Sequence, residues 1–307
     1  MVLLTAMGAA DSVLTDRAGA QRHQPRRHLL IAGTGRAGTS VLVQYLSGLG
    51  LETHLTKNGD AANWHDTAQA GLEDLPISAA ACDLPYVIKS PWSYQIIDQV
   101  LADPRITLDA VIIPIRDLIE AAASRSIVQL QTMHQNTPWL TQIKTTFEDW
   151  GAEPGGTVFS LNPVDQARLV AFGFHRLLER MACTDVPTVL IGFSRAATDP
   201  DYLFRKLHPV LPIDISVTLA REVHAATFCP AKMRTGRELT GEMRPAPDGN
   251  GLAGPSITGL ENAALKRELE RLRSENKTLQ RSASRRLTRR ARAIRNSLQS
   301  LWGVLRQ

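Results

Sequence analysis

A strand-like segment that ends in a glycine-rich loop constrains the fold of this chain more than any other feature. The apolar run LLIAG (29–33) is followed by the polar residues TGRAGTS, and the pattern then predicts a helix from Ser40 to Leu49. Gly33 and Gly38 have the G-x-x-x-x-G spacing of a loop that binds phosphate, since glycines let backbone N–H groups turn inward and a helix N-terminus favours anions. We predict a P-loop-like strand, loop and helix, with a purely structural turn as the alternative.

Three more short apolar runs predict strands, and helical patterns lie between them. The runs are YVIK (86–89), LDAVIIPI (108–115) and TVLIGF (188–193), and the helical patterns cover residues 92–102, 117–131, 164–182 and 198–208. Alternation of short buried strands with helices favours the α/β class, with a parallel sheet covered on both faces in three layers.

Composition divides the chain into four predicted parts. The N-terminal segment lacks the basic start of a signal peptide and contains Asp11 and Asp16, and a later segment is rich in Gly and Pro. We predict a disordered lead-in over 1–27, a folded domain over 28–234, a linker over 235–259 and a helical tail over 260–307.

Leucines recur at heptad spacing in the first half of the tail. Leu265, Leu269, Leu272 and Leu279 follow at steps of 4, 3 and 7 residues, with asparagines on the same seam. This pattern is typical of a short coiled coil, in which asparagine on the seam commonly fixes the register of a dimer. We predict a homodimer through residues 260–281, and a solvated single helix is the alternative.

The second half of the tail is a basic amphipathic pattern. Residues 260–307 carry 13 Lys and Arg against 4 Glu, so the rest of the chain is mildly acidic. Over 285–307, arginines crowd one side while Leu, Ile and Ala line the other, with Trp302 beside them. This pattern suits an anionic membrane surface and not a nucleic acid; packing on the folded domain is the alternative.

Cysteine usage and hydropathy indicate where the protein works. The three cysteines form no C-x-x-C pair, which favours a reducing compartment, and no apolar stretch approaches the length of a spanning helix. We expect a cytoplasmic protein that is peripheral at the inner face of the membrane.

The loop departs from the pattern of nucleotide hydrolases. Thr39 stands where those enzymes place lysine after the second glycine, and the cation comes earlier, at Arg36. No clean apolar strand ends in a lone aspartate that would hold Mg²⁺, so we expect no metal. This combination suits a phosphate-like group that is handled without a metal ion.

The segment R-A-G-T-S resembles the 5′-phosphosulfate loop of sulfotransferases, which use 3′-phosphoadenosine 5′-phosphosulfate. Their second signature, a strand ending in arginine with a serine eight residues later, is similar to Arg116 and Ser124, and their strand-end lysine is similar to Lys89 in IKSPW (88–92). The resemblance spans residues 28–212.

The resemblance implies roles for named residues. Donor-binding residues would be Gly35, Arg36, Ala37, Gly38, Thr39 and Ser40 around the 5′-phosphate, with Arg116 and Ser124 on the 3′-phosphate. Lys89 and Arg36 would stabilise charge on the leaving group.

The cytosolic branch of the family has a catalytic histidine two residues after the lysine, where this chain has Pro91. That departure favours the bacterial carbohydrate-modifying type, whose base follows the first helix. We favour His65 with Asp66 as the base, and the other candidates are Glu52, His54, Asp60 and Glu73. The acceptor would be a hydroxyl of a carbohydrate or glycolipid. Two other classes remain open, a P-loop kinase or nucleotide hydrolase and a non-catalytic adaptor with a relic loop.

Overall fold

The computed structural model describes residues 25–59, 62–65, 70–74, 76, 83–136, 161–229 and 256–304. Its strands are β1 (Arg26–Ala32), β2 (Trp64–His65), β3 (Ala70–Gly71), β4 (Val87–Ser90), β5 (Ile106–Ile115) and β6 (Thr188–Gly192). Its helices are α1 (Thr39–Gly48), α2 (His54–Asn58), α3 (Ser93–Ala102), α4 (Leu118–Asn136), α5 (Pro163–Ala182), α6 (Phe193–Ala196), α7 (Pro200–Leu207), α8 (Val217–Thr227) and α9 (Ile257–Val304).

Four parallel strands form the main sheet in the order β4-β1-β5-β6, and β2 pairs with β3 in a separate antiparallel hairpin. The chain leaves β1 to form its neighbour on one side, β4, and then crosses to form its neighbour on the other side, β5. Such a reversal opens a crevice at the carboxyl ends of the strands, which is where open α/β sheets bind ligands. The mixed α/β class and the parallel sheet predicted from sequence are confirmed.

The two faces of the sheet belong to two separate hydrophobic cores. Leu29 and Ile31 of β1 pack with α1, α6, α7 and α8, whereas Leu30 and Ala32 pack with α3 and α5. Alternate residues of a strand point to opposite faces, so a continuous apolar run is the pattern that a doubly covered strand requires. Helices therefore cover the sheet on both sides.

The first turns of α9 pack on the C-terminal half of α4. Leu260 and Ala264 are buried in a small core with Ile127 and Leu130 of α4, and Glu268 accepts a hydrogen bond of 2.6 Å from the Gln135 side chain. The helix starts at Ile257 and runs without a break to Val304. The predicted lead-in up to residue 24 and the predicted linker from 235 to 255 lie outside the described residues.

Among the helices that the structure describes, none is both long and apolar enough to cross a lipid bilayer.

Candidate functional site

The loop Gly33–Ser40, which we call the glycine loop, connects β1 to α1 through residues in left-handed backbone conformations. Gly35, Arg36 and Gly38 have φ of 77°, 58° and 89°. A Cβ on Gly38 would lie 1.9 Å from the Phe193 ring, so glycine is required there by conformation and by space. Because α1 begins at Thr39, its first N–H groups have no partner within the helix and face the loop.

Side chains from three helices hold the glycine loop in this shape. Ser93 at the start of α3 accepts a hydrogen bond of 3.1 Å from the Gly33 N–H. Arg125 of α4 donates to the Thr34 carbonyl over 2.8 Å and to Gln166 of α5 over 2.7 Å. Burial lowers the pKa of Arg125 from its ordinary value, and this desolvation cost is met by its hydrogen bonds. The loop is therefore tied by hydrogen bonds to α3 and α4, and through Arg125 to α5.

The predicted residues Arg36, Arg116 and Ser124 come together at the outer turn of the loop. Arg36 Nε donates to Ser124 Oγ over 3.1 Å, and Arg116 Nη1 donates to the Arg36 carbonyl over 3.3 Å. Arg116 also forms an ion pair of 3.2 Å with Glu120, and its side chain is only 5% exposed. A guanidinium held by a carboxylate in this way is fixed in position for a second anion.

Lys89, at the end of β4, meets the glycine loop at its last residue, Ser40. Its Nζ donates to the Gly71 carbonyl over 2.6 Å, to Ser40 Oγ over 3.1 Å and to Glu73 Oε1 over 3.3 Å. The residue is 1% exposed. Burial lowers the pKa of Lys89 from its ordinary value, and the Glu73 carboxylate opposes that shift.

A buried carboxylate, that of Asp74, supports Lys89 from its backbone side. Asp74 Oδ2 accepts from the Lys89 N–H over 3.0 Å, and Asp74 Oδ1 lies 3.1 Å from His54 Nδ1. Asn58 Nδ2 and the Asn63 N–H both face His54 Nε2, at 3.2 and 3.4 Å. Since those two groups are donors, Nε2 accepts and Nδ1 carries the proton toward Asp74. Burial raises the pKa of Asp74, and the hydrogen bonds from Lys89 and His54 oppose that rise.

The candidates for a base fall in different places. Glu73 contacts Lys89, and His54 contacts Asp74, whereas Glu52 accepts from the Tyr86 N–H at the far end of the sheet. His65 lies in β2 opposite Ala70, so its backbone is close to the segment that carries Glu73. The side chain of His65, together with Asp60 and Asp66, lies outside the described residues.

Sequence reasoning missed four residues that shape this site, namely Asp74, Ser93, Arg125 and Gln166. Each works through a partner from a distant segment, as in the contact between Arg125 and Thr34, which are 91 residues apart. Local spacing carries no signal for such pairs. For two of them a clue was available in their position beside a predicted residue, since Asp74 follows Glu73 and Arg125 follows Ser124.

Comparison of the chain with protein-family models, with curated proteins and with solved structures found no match. The site brings three basic side chains, those of Arg36, Lys89 and Arg116, to a helix N-terminus at the crevice of a parallel sheet. This set of groups is suited to an anionic ligand with more than one charged group.

Proposed function

We propose that this chain is a sulfotransferase that moves a sulfuryl group from 3′-phosphoadenosine 5′-phosphosulfate to a hydroxyl of a carbohydrate or glycolipid. The observation that carries the proposal is the convergence of two cation groups on one glycine loop. Lys89 meets Ser40 at the helix end of the loop, while Arg116 and Ser124 meet Arg36 at its outer turn. A donor with separate 5′- and 3′-anions needs two such subsites.

The loop amides from Ala37 to Ser40 are the groups that would hold the 5′-phosphate. They lie where α1 begins, so their N–H groups and the helix dipole act on the same anion. Arg116 would form charge-assisted hydrogen bonds to the 3′-phosphate, and Ser124 would turn its hydroxyl from Arg36 toward it. Glu120 would keep the Arg116 guanidinium in place.

In the transfer step, the acceptor oxygen forms a bond to sulfur while the bond from sulfur to the bridging oxygen breaks. The electron pair of that broken bond stays on the leaving 5′-phosphate. Lys89 and Arg36 would stabilise this developing charge, and a buried lysine acts strongly because little water screens it.

The acceptor proton passes to a base. His65, with Asp66 beside it, is the base that the sequence favours, and Glu73 is a competing assignment because it lies 3.3 Å from Lys89 Nζ. A carboxylate between the lysine and the acceptor would both orient the lysine and accept a proton. The turnover of His65→Ala and that of Glu73→Gln distinguish these two assignments.

Calorimetric binding of 3′-phosphoadenosine 5′-phosphate tests the donor. We expect tight binding without Mg²⁺ that is lost for AMP, which lacks the 3′-phosphate, and that is lost in Arg36→Ala and Arg116→Ala. Arg168→Ala is the matched control, because that arginine lies on α5 with its side chain 76% exposed. A preference for Mg·ATP would assign the chain to the kinases, and no nucleotide binding would favour the adaptor.

We also propose that the protein is cytoplasmic and peripheral at the inner membrane face, through the basic residues 285–307. Arginines on one side of an amphipathic helix are attracted to anionic headgroups. Sedimentation with anionic vesicles should remove the full chain from solution, and neutral vesicles should not.

A further inference from the structure

The leucine seam of α9 faces away from the folded domain. The helix contacts α4 through Ile257, Leu260 and Ala264, which are buried or partly buried in the small core with α4. Helical periodicity of 100° per residue places the seam residues Leu265, Leu269 and Leu272 on a different face, on average about 115° around the helix from the α4 contact. They are 44%, 47% and 49% exposed, and Leu279 is 66% exposed. The helix therefore has two apolar faces, of which α4 covers one.

We infer that the exposed seam is occupied by the same seam of a second copy of this chain, in a parallel two-stranded coiled coil. This inference is independent of the proposed chemistry. Its first support is the position of polar residues. With Leu265, Leu272 and Leu279 at heptad position d, Asn262 and Asn276 are at position a and are exposed.

In a parallel pair in register, each asparagine meets its own copy, and the two amides can hydrogen-bond to each other. In an antiparallel pair, position a faces position d, so each asparagine would be buried against leucine without a partner.

The charges beside the seam favour the same arrangement. Positions g hold Glu261, Glu268 and Glu275, and positions e hold Lys266, Arg273 and Gln280. In a parallel pair, a g residue lies near the e residue five positions later on the other helix, which places Glu261 near Lys266 and Glu268 near Arg273. Glu268 would then be shared with Gln135 and Arg271, from which it already accepts hydrogen bonds. In an antiparallel pair, g faces g, so glutamate would lie against glutamate and repel it.

The contact with α4 reduces the cost of forming such a short coiled coil. An isolated helix of three heptads is only marginally stable in water, because nucleation of a helix is unfavourable and the chain must become ordered when the two copies associate. Here the first turns are already ordered by Leu260 and Ala264, and Glu268 is held by Gln135 over 2.6 Å. A partner then binds a preformed surface.

The seam also ends where the charge pattern changes. The next d and a positions after Leu279 and Ala283 are Arg286 and Arg290, and arginine at adjacent seam positions would repel its copy in the partner. The predicted dimer is therefore confined to about residues 260–283, and the basic segments of both copies emerge from the same end.

Sedimentation velocity of the full chain tests the inference. We expect the parent chain to be a dimer. Leu272→Glu should raise the dissociation constant of that dimer by at least about tenfold, because each glutamate would enter an apolar seam. Ser274→Glu is the matched control, since Ser274 is exposed at position f, opposite the seam, and that variant should remain dimeric.

Orientation is tested with Asn262→Cys and peptide mapping of the oxidised protein. A parallel pair joins residue 262 to residue 262, whereas in an antiparallel pair the two would be separated by about 25 Å at 1.5 Å per residue.

Three results would overturn the inference. The first is a parent chain that stays monomeric up to about 100 μM, where a Kd of about 10 μM would already populate the dimer. The second is a dimer whose dissociation constant is unchanged in Leu272→Glu, or a dimer in which Asn262→Cys forms no disulfide between the two copies of residue 262. The third is a monomer whose binding to anionic vesicles is abolished by Leu272→Glu, which would assign the seam to the membrane.

Discussion

Replacement of Gly38 by alanine should destabilise the protein more than the same replacement at Gly50. The two glycines have nearly the same φ, 89° and 91°, in the region that favours glycine. Their surroundings differ, because a Cβ at Gly38 would lie 1.9 Å from Phe193 Cε2, whereas nothing lies within 4 Å of a Cβ at Gly50. The pair therefore separates the cost of the backbone conformation from the cost of the contact.

The expected magnitudes follow from these two contributions. Alanine in the left-handed region costs about 1–2 kcal/mol at either site. At Gly38, the buried Phe193 ring must also move within the core, and overpacking of this kind costs about 1–3 kcal/mol. We therefore expect a loss of free energy of unfolding of about 1–2 kcal/mol for Gly50→Ala and about 2–5 kcal/mol for Gly38→Ala.

Urea unfolding at 25 °C measures both losses, provided that the m-values stay unchanged. Phe193→Ala supplies the internal background, because alanine lacks the Cδ2, Cε2 and Cζ atoms nearest Gly38. In that background the cost of Gly38→Ala should fall to that of Gly50→Ala. Equal costs for the two alanine variants, within about 0.5 kcal/mol, would refute the packing of the glycine loop against Phe193.

Three other predictions follow from the same structure. Leu260→Ala should lower the free energy of unfolding by about 2–5 kcal/mol, because it opens a cavity in the small core between α9 and α4. Leu219→Ala, at a residue that is 40% exposed, should lower it by no more than about 1 kcal/mol. Because the pKa of Lys89 is lowered by folding, the unfolded chain binds more protons than the folded chain at pH values between the folded pKa and 10.5. In urea titrations, the free energy of unfolding of the parent relative to Lys89→Met should therefore rise with pH across that window. His65→Ala should spare binding of 3′-phosphoadenosine 5′-phosphate and lower turnover by about 10²–10⁴-fold in a sulfate-transfer assay. Parent-rate turnover in His65→Ala, with loss in Glu73→Gln, would move the base to Glu73.

Elements with a strong local pattern were predicted well. The run LDAVIIPI was expected as a strand over 108–115 and forms the end of β5, and the helix expected over 164–182 is α5, Pro163–Ala182. The helix expected over 198–208 is α7, Pro200–Leu207, and Asp199 caps it by accepting from the Tyr202 N–H. Each of these signals lies within a few residues of the element that it predicts.

Elements without such a pattern were not predicted. The helix α8, Val217–Thr227, has two exposed apolar residues in its first turn, Val217 and Leu219, so its apolar face is weakly marked. The hairpin of β2 and β3 has only two residues in each strand, which is too short for a period of two to show. Tertiary packing decides both elements.

By itself, the sequence determined the α/β class, the position of the glycine loop after the first strand, and the heptad seam of the tail, since each depends on periodicity or on conformational limits of single residues. Only the tertiary structure decided which strands flank β1, that Arg125 and Ser93 hold the loop, and that Glu73 reaches Lys89. It also decided that α4 covers one face of α9 and leaves the seam exposed. Contacts between residues far apart in the chain depend on how whole elements pack, and no local pattern encodes them.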